Sequence, residues 1–364
     1  MSELHVYLPN LEHNYRVIRS RLNSKTDLIA VVKAGAYGND AITIAHRLVE
    51  LGVDALAVAY SEEGILLRKS GIKKPILVFY PQLEGLDTLI AHQLEPCLYS
   101  ATLLKQFGSL AKKNNEKNYP VHIKYNTGLN RIGFAPSQVS WVLNQLSESF
   151  LDLKSVYSHL AASEASKEDS LSKLQLKTFL DLRKHHLELT PKSPKFHLLN
   201  SSGVFNYPEY QFDAVRVGIA LHGYANQPHW DQELKVVSEL KTKISQIHSV
   251  KKGAYVGYDH GWKTTRESLI AVLPVGHADG IGRHFGHHKG RVFVRGKWAP
   301  IVGNICMDLL MIDVTETPCK EGDEVSFFGT SQPASEFAAR GNTISYELLT
   351  GLGPRIKRIV HKTI

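Results

Sequence analysis

The chain has 364 residues, 43% hydrophobic and 21% charged, a soluble globular balance that excludes a disordered or fibrous chain and leaves room for two domains, one of them a barrel. Its net charge of +8 comes from 43 Lys and Arg scattered against 35 Asp and Glu, with no basic stripe of the kind a nucleic-acid partner would need. Three widely spaced cysteines, Cys97, Cys306 and Cys319, fit a reducing compartment; no apolar leader and no membrane-length apolar run is visible, so a cytoplasmic protein without a membrane partner is expected.

Short apolar segments recur in chain order at 28–33, 55–59, 76–80, 95–99, 121–126, 155–160, 196–200 and 214–218. Helix-like patterns separate them, for example over 41–49, 137–146 and 170–187. Eight such alternations predict an α/β fold whose first part, residues 1–228, is a (β/α)8 TIM-like barrel of parallel strands. From about residue 234 the rhythm becomes that of short strands, at 240–250, 269–275, 291–294, 301–314 and 324–328, with turns at Gly253, Gly290, Gly296 and Gly322. Residues 229–364 therefore read as a mostly β C-terminal domain, joined through Asn226-Gln227-Pro228-His229.

In a barrel, the C-terminal strand ends share one mouth. That edge would carry Lys33, the Lys124–Arg131 segment, His159, Asn200-Ser201 and Arg216 to Ile219. Taken singly, Asn126 or Ser201 reads as a helix cap and Lys33 as a surface lysine beside a turn. Together they form a site. Lys33 ends an apolar strand and is followed by the small residues Ala34-Gly35-Ala36, so partial burial would lower its pKa and suit a Schiff base with an aldehyde cofactor. The Ser201-Ser202-Gly203 and Arg216-Val217-Gly218-Ile219 segments follow the seventh and eighth strands, where barrels bind phosphate. The combination suggests pyridoxal 5′-phosphate.

The motifs VVKAGAYG (31–38), NTGLNRIG (126–133), DAVRVGIALHG (213–223), PVGHADG (274–280), VGNICMD (302–308) and TISYE (343–347) resemble those of the pyridoxal-phosphate-dependent alanine racemases, in order and over nearly the whole chain. The resemblance implies that Lys33 carries the cofactor, that Tyr37, Ser201, Gly218, Ile219 and Tyr346 hold its phosphate, with Asn200 beside them, and that Arg131 bonds its phenolic oxygen and the substrate carboxylate with His159 near the ring. It puts Tyr258 as the second acid/base, contributed with Met307 and Asp308 by the partner subunit of a head-to-tail homodimer. Racemisation needs a base on each face of Cα, so Lys33 would serve the D face and Tyr258 the L face, its anion favoured by Arg131 and His159. Arg216 falls where it would face the ring nitrogen. A guanidinium about 4 Å from a pyridinium costs about 4 kcal/mol at an effective dielectric near 20, which keeps that nitrogen unprotonated. Lys124 falls where family members carry a carbamylated lysine that orients Arg131.

Gly35, Asn126, His277 and Asn304 depart from the residues usual in the family, and the last two fall on the substrate corridor. The expected activity is alanine racemisation supplying D-alanine for peptidoglycan from a small amino-acid substrate. A serine or broad-spectrum racemase, a non-catalytic pyridoxal-phosphate carrier and a decarboxylase are the rivals; the C-terminal domain argues against the carrier and Arg216 against the decarboxylase. No metal is expected: the Arg283–His288 cluster has no accompanying carboxylates and reads as a solvated loop.

Overall fold

A computed structural model describes residues 2–165, 169–190 and 192–363. Eight strands close a parallel barrel: β2 (Asp27–Val31), β3 (Ala55–Val58), β4 (Ile76–Val78), β5 (Glu95–Leu98), β6 (Tyr119–Lys124), β7 (Leu151–Tyr157), β8 (Lys195–His197) and β9 (Ala214–Val217), with β9 pairing back onto β2. These are the eight apolar segments of the sequence. Strands β2, β3, β4 and β9 have the near-continuous burial of a parallel strand covered by helices. The intervening helices form for local reasons. In the helix Ala41–Leu51, Asp40 caps the first turn by accepting the Thr43 N–H (2.7 Å), Gly52 ends it in a left-handed conformation, and Ile44, Ala45 and Leu48 make the buried stripe.

The second domain is built on a nine-stranded sheet. Its strands are β1 (Glu3–Tyr7), β10 (Ser238–Lys243), β11 (Gln246–Val250), β14 (Ser268–Leu273), β15 (Arg291–Val294), β16 (Lys297–Val302), β17 (Leu310–Asp313), β18 (Glu324–Phe328) and β19 (Lys357–His361), ordered β11-β14-β17-β16-β15-β18-β10-β1-β19. A small hairpin of β12 (Tyr255–Val256) and β13 (Trp262–Lys263) stands apart. The mostly β character matches the sequence reading, with two refinements. Residues 240–250 and 301–314 are each two strands broken by a loop, because a turn at 244–245 and the loop 303–309 interrupt the alternation. Residues 3–7, grouped by the sequence reading with the barrel, pair instead in the second sheet, antiparallel to β10 and parallel to β19. Leu4 and Val6 are fully buried there, on one face of an alternating strand. The chain thus begins in the second domain, builds the barrel, and returns.

The two domains meet beside Lys33. After β2 the backbone enters a short left-handed turn, Lys33–Gly38, with Ala34, Gly35, Ala36 and Tyr37 all at φ between 51° and 64°. The Arg358 guanidinium, on β19, donates to the Gly38 carbonyl from Nε (3.1 Å) and from its second terminal nitrogen (3.0 Å), and also to the carbonyls of Leu352, Gly353 and Ile356. Gly38 lies at φ 79°, and a Cβ there would fall 1.9 Å from the Leu349 carbonyl oxygen in the helix Ser345–Thr350. Gly38→Ala combines left-handed strain with a backbone collision. It is expected to destabilise the protein by about 2–4 kcal/mol, seen as a lower urea midpoint; an unchanged midpoint would refute this view of the domain contact.

Candidate active site

A cavity of about 640 Å³ opens at the C-terminal mouth of the barrel. Lys33, Tyr37, Lys124, Arg131, His159, Asn200, Ser201, Arg216, Gly218, Ile219 and Tyr346 all line it. Residues singled out on five different strand ends and on the helix Ser345–Thr350 therefore share one space. Four of them are cationic types, and among the described residues no carboxylate is in the lining. Such a site suits a ligand bearing several negative groups.

Lys33 sits at the entry of the left-handed turn. Burial first, and then the positive charge of Arg131, lower its pKa, while Glu63 opposes the shift. The Glu63 carboxylate accepts the N–H groups of Ala34 (2.5 Å), Ala59 (2.8 Å) and Tyr60 (3.2 Å), so it anchors the turn from behind. Asn39 closes the other end: its amide donates to the carbonyls of Ala36 (2.9 Å) and Tyr37 (3.3 Å), and its oxygen accepts from the Ser238 hydroxyl.

The turn lays Tyr37 between His222 and Tyr346, with ring centroids 5.0 and 6.0 Å away. Gly218 passes directly against it, where a Cβ would stand 2.0 Å from the Tyr37 hydroxyl oxygen. The Ser201 hydroxyl accepts the N–H groups of Gly218 (3.1 Å) and Ala220 (3.3 Å), and Asn200 caps the helix Ser201–Asn206 by accepting the Gly203 N–H (3.0 Å). Asn226 donates to the Tyr346 hydroxyl (3.0 Å) and to Ser202 (2.9 Å). This corner gathers hydroxyls and backbone N–H groups, the donors that phosphate takes. Burial raises the Tyr346 phenol to about 12, so it is a donor at any physiological pH.

Arg216, 4% exposed, is fixed on five sides. It donates to the carbonyls of Ser158 (2.7 Å), Leu198 (2.9 Å) and His197 (3.2 Å) and to the Nδ1 atoms of His197 (2.7 Å) and His159 (3.2 Å). The Tyr157 ring lies under it, 5.0 Å from the guanidinium carbon, and 5.8 Å from the Lys124 amine. Burial, then Arg216, Lys124, Arg131 and Lys33, hold His159 far below the ordinary histidine range, so its ring is neutral. Lys124 is buried, and desolvation followed by Arg131 and Arg216 brings it down to about 8. Arg131 rides on a loop organised by Asn126, whose side-chain oxygen accepts the N–H groups of Gly128 (3.1 Å) and Asn130 (2.9 Å). The departure at Asn126 thus retains an acceptor that shapes the loop.

Tyr258, Met307 and Asp308 do not reach the cavity within one chain. Tyr258 is 69% and Met307 60% exposed, and Asp308 pairs with Arg355 at 2.7 Å. Asn304 donates to the Tyr258 carbonyl (3.0 Å) and bonds His287 (3.1 Å), so the corridor departure at 304 braces the tyrosine's loop. His284 and His288 pack on Phe285 and Trp262. Sequence reasoning missed Tyr157, Phe79, Tyr60 and Tyr80, which also line the cavity. Tyr157 was open to inference as the last residue of the strand that leads to His159; the Tyr60–Tyr80–Tyr99 aromatic rim depends on register between strands and was not.

Family models described as "Alanine racemase, N-terminal domain" and "Alanine racemase, C-terminal domain" match residues 6–226 and 237–360. The chain is 36% identical to the alanine racemase of Treponema denticola, over 97% of this chain and 96% of that one, and 36% identical to alanine racemase 1 of Clostridium acetobutylicum, over 98% and 94%. Among solved structures it is similar to the alanine racemase of the D-cycloserine producer Streptomyces lavendulae (TM-score 0.94, 27% identity, 100% and 97% covered). It is also similar to that of Bartonella henselae, whose structure has covalently bound pyridoxal phosphate (TM-score 0.89, 31% identity, 99% of both chains covered). In sequence, in both domains and in the make-up of the barrel mouth, the chain belongs to the alanine racemase family.

Proposed function

We propose that this protein interconverts L- and D-alanine in the cytoplasm, supplying D-alanine for peptidoglycan, as a homodimer whose barrel (residues 1–228) binds pyridoxal 5′-phosphate and whose C-terminal domain (229–364) lends Tyr258 to the partner's site. The observation that carries this reading is the convergence of four cationic side-chain types, Lys33, Lys124, Arg131 and Arg216, on one cavity, beside a corner of hydroxyls and N–H groups around Ser201 and Gly218. The donors fit a phosphorylated aldehyde: an amine of lowered pKa for the aldehyde, a phosphate corner with no opposing carboxylate, and a guanidinium for the ring nitrogen.

When bound, the cofactor supplies the electron sink that acidifies the substrate's Cα–H. The chain's own residues do the rest. Lys33 moves a proton on the D face, and Tyr258 of the partner subunit moves one on the L face. Arg131 holds the substrate carboxylate, with Met307 and Asp308 bounding the substrate from the partner side. Tyr37, Ser201, Gly218, Ile219 and Tyr346 hold phosphate, with Asn200 fixing the helix they flank. Arg216, as a permanent donor, keeps the ring nitrogen unprotonated, while His159 stays neutral beside it. By keeping that sink moderate, Arg216 would favour return of the proton to the substrate over decarboxylation or transamination. His277 and Asn304 on the corridor favour one second reading, a serine or broad-spectrum racemase, which initial rates across alanine, serine, lysine and arginine separate: alanine ranking last would overturn the alanine assignment.

Solvent deuterium exchange at Cα of each enantiomer tests the two bases. Lys33→Ala is expected to abolish exchange of D-alanine and Tyr258→Phe to slow that of L-alanine by about 10²-fold or more; equal losses for both enantiomers in both variants would refute the face assignment. Mixing the two inactive variants tests the shared site. Random reassociation gives heterodimers with one intact site, so about a quarter of wild-type activity should return, and none would return if each site were built from a single chain.

Carbamylation of Lys124 is part of the same reading, since carbon dioxide reacts with a neutral amine. The Lys124 amine, down to about 8, is mostly neutral above pH 8 and protonated below it. With ¹³C-bicarbonate a carbamate resonance is therefore expected to grow as pH rises through 8 and to vanish in Lys124→Arg. A resonance that survives this substitution would refute the assignment.

A further inference from the structure

The lower half of the barrel interior holds polar residues that the reaction does not use. Glu95 on β5, His122 on β6, Ser155 on β7 and His197 on β8 lie on four neighbouring strands. They form one unbroken chain of hydrogen bonds: Glu95 Oε2 to His122 Nε2 (2.9 Å), His122 Nδ1 to Ser155 Oγ (2.6 Å), Ser155 Oγ to His197 Nε2 (2.7 Å) and His197 Nδ1 to Arg216 (2.7 Å). His122, Ser155, His197 and Arg216 are each at most 5% exposed. A second cavity, of about 240 Å³, opens at the opposite, N-terminal mouth of the barrel and is bordered by Glu95, His122, Ser155 and His197. The chain therefore spans the barrel from that mouth to the active-site arginine.

Donor and acceptor roles along it follow from one fact: a guanidinium only donates. His197 Nδ1 must then accept, so its proton is on Nε2. That proton goes to the Ser155 oxygen, and the only acceptor left for the Ser155 hydroxyl hydrogen among the described residues is His122 Nδ1 (2.6 Å). The His122 proton is then on Nε2 and goes to the Glu95 carboxylate. Reversing the Arg216 link would set two hydrogens against each other, and reversing the Ser155–His122 link would leave the buried Ser155 hydroxyl hydrogen without an acceptor. Burial and the neighbouring Arg216 also hold His197 well below the ordinary histidine range, which keeps it singly protonated.

We propose that Glu95, His122 and Ser155 are positioning residues that hold Arg216 through His197 in a single protonation pattern, with the Glu95 carboxylate as the remote counter-charge of the active-site guanidinium. Three alternatives for Arg216, namely rotation, proton sharing with His197 and a swing towards the cavity, each break the chain and strand a buried polar atom. The effect on the reaction rests on the function proposed above; the proton pattern does not.

Neutron diffraction from deuterium-exchanged crystals of the cofactor-bound protein tests the pattern directly. Deuterons are expected on Nε2 of both His122 and His197, with Nδ1 bare on both and Glu95 unprotonated. A deuteron on Nδ1 of either histidine, or on Glu95, overturns the proposal. Kinetics test the positioning. Glu95→Gln, which removes charge and keeps shape, and Ser155→Ala, which cuts the chain, are each expected to lower kcat by about fivefold or more with KM little changed. Both should also displace the absorption band of the bound cofactor, and Ser155→Thr should restore rate and band. Lys195→Gln, at the same lower mouth, should leave both at wild-type values. Wild-type kcat and absorption in both Glu95→Gln and Ser155→Ala would reduce the chain to core filling and overturn the positioning role. If the wild-type protein binds no pyridoxal phosphate or does not racemise amino acids, the functional reading fails instead, and diffraction from the cofactor-free protein still decides the proton pattern.

Discussion

The left-handed turn that follows Lys33 is the constraint on which the site depends. Three non-glycine residues, Ala34, Ala36 and Tyr37, hold positive φ there, at a cost of about 1–2 kcal/mol each. A turn of that hand does not persist alone, and its anchors come from several directions: Glu63 from the next βα unit, Asn39 through His222 and Ser238, and Arg358 from the second domain. What the strain achieves is placement. It aims Lys33 into the cavity and, four residues on, lays Tyr37 under Gly218. Strain of this kind at a functional site is held by the structure around it, and here half of that structure belongs to a different domain.

This explains why the first strand of the chain lies in the second sheet. With β1 inserted between β10 and β19, the barrel is held to the second domain at both of its ends, and Arg358 on β19 acts on the Lys33 turn across a fixed contact. Tyr346 reaches the corner of hydroxyls around Ser201 from the same domain. The second domain is therefore part of the barrel's own site even before any partner subunit is considered. Tyr258 and Met307 of that domain are exposed and outside the cavity within one chain.

Much of this was legible in the sequence. The spacing of eight apolar segments fixed the barrel, and the rule that barrel sites lie at C-terminal strand ends gathered Lys33, Lys124, Arg131, His159, Asn200, Ser201 and Arg216 correctly into one cavity. What escaped it were features set by long-range register. Glu3–Tyr7 alternates like any short strand, and nothing local says that its partners lie more than 230 residues away. The handedness of the Lys33 turn is carried by Asn39 and Arg358, whose partners are backbone carbonyls with no sequence signature. Glu95, His122, Ser155 and His197 sit on strands read for their apolar content, and their meeting depends on four strands being adjacent and in register.

That interior also bears on how the barrel balances its charge. Apart from Asp27 at the lower mouth, the strands β2 to β4 present small and aliphatic residues to the cavities, Ile29, Val31, Ala55 and Leu77, whereas β5 to β9 present Glu95, His122, Lys124, Ser155, Tyr157, His197 and Arg216. Four cationic groups at one mouth would repel one another, by about 4 kcal/mol for a pair 4 Å apart at an effective dielectric of 20. A fixed carboxylate placed between Arg216 and the cavity would relieve the repulsion, and it would also compete with the anionic groups of a ligand for that guanidinium. Carbonyl oxygens, neutral imidazoles and the Tyr157 ring around Arg216 relieve it without that competition, and the one carboxylate in the chain of hydrogen bonds stands at the opposite mouth. The polar half of the core lets the barrel keep a concentrated positive site that is stabilised from within and unsatisfied only towards the cavity, where a ligand completes it.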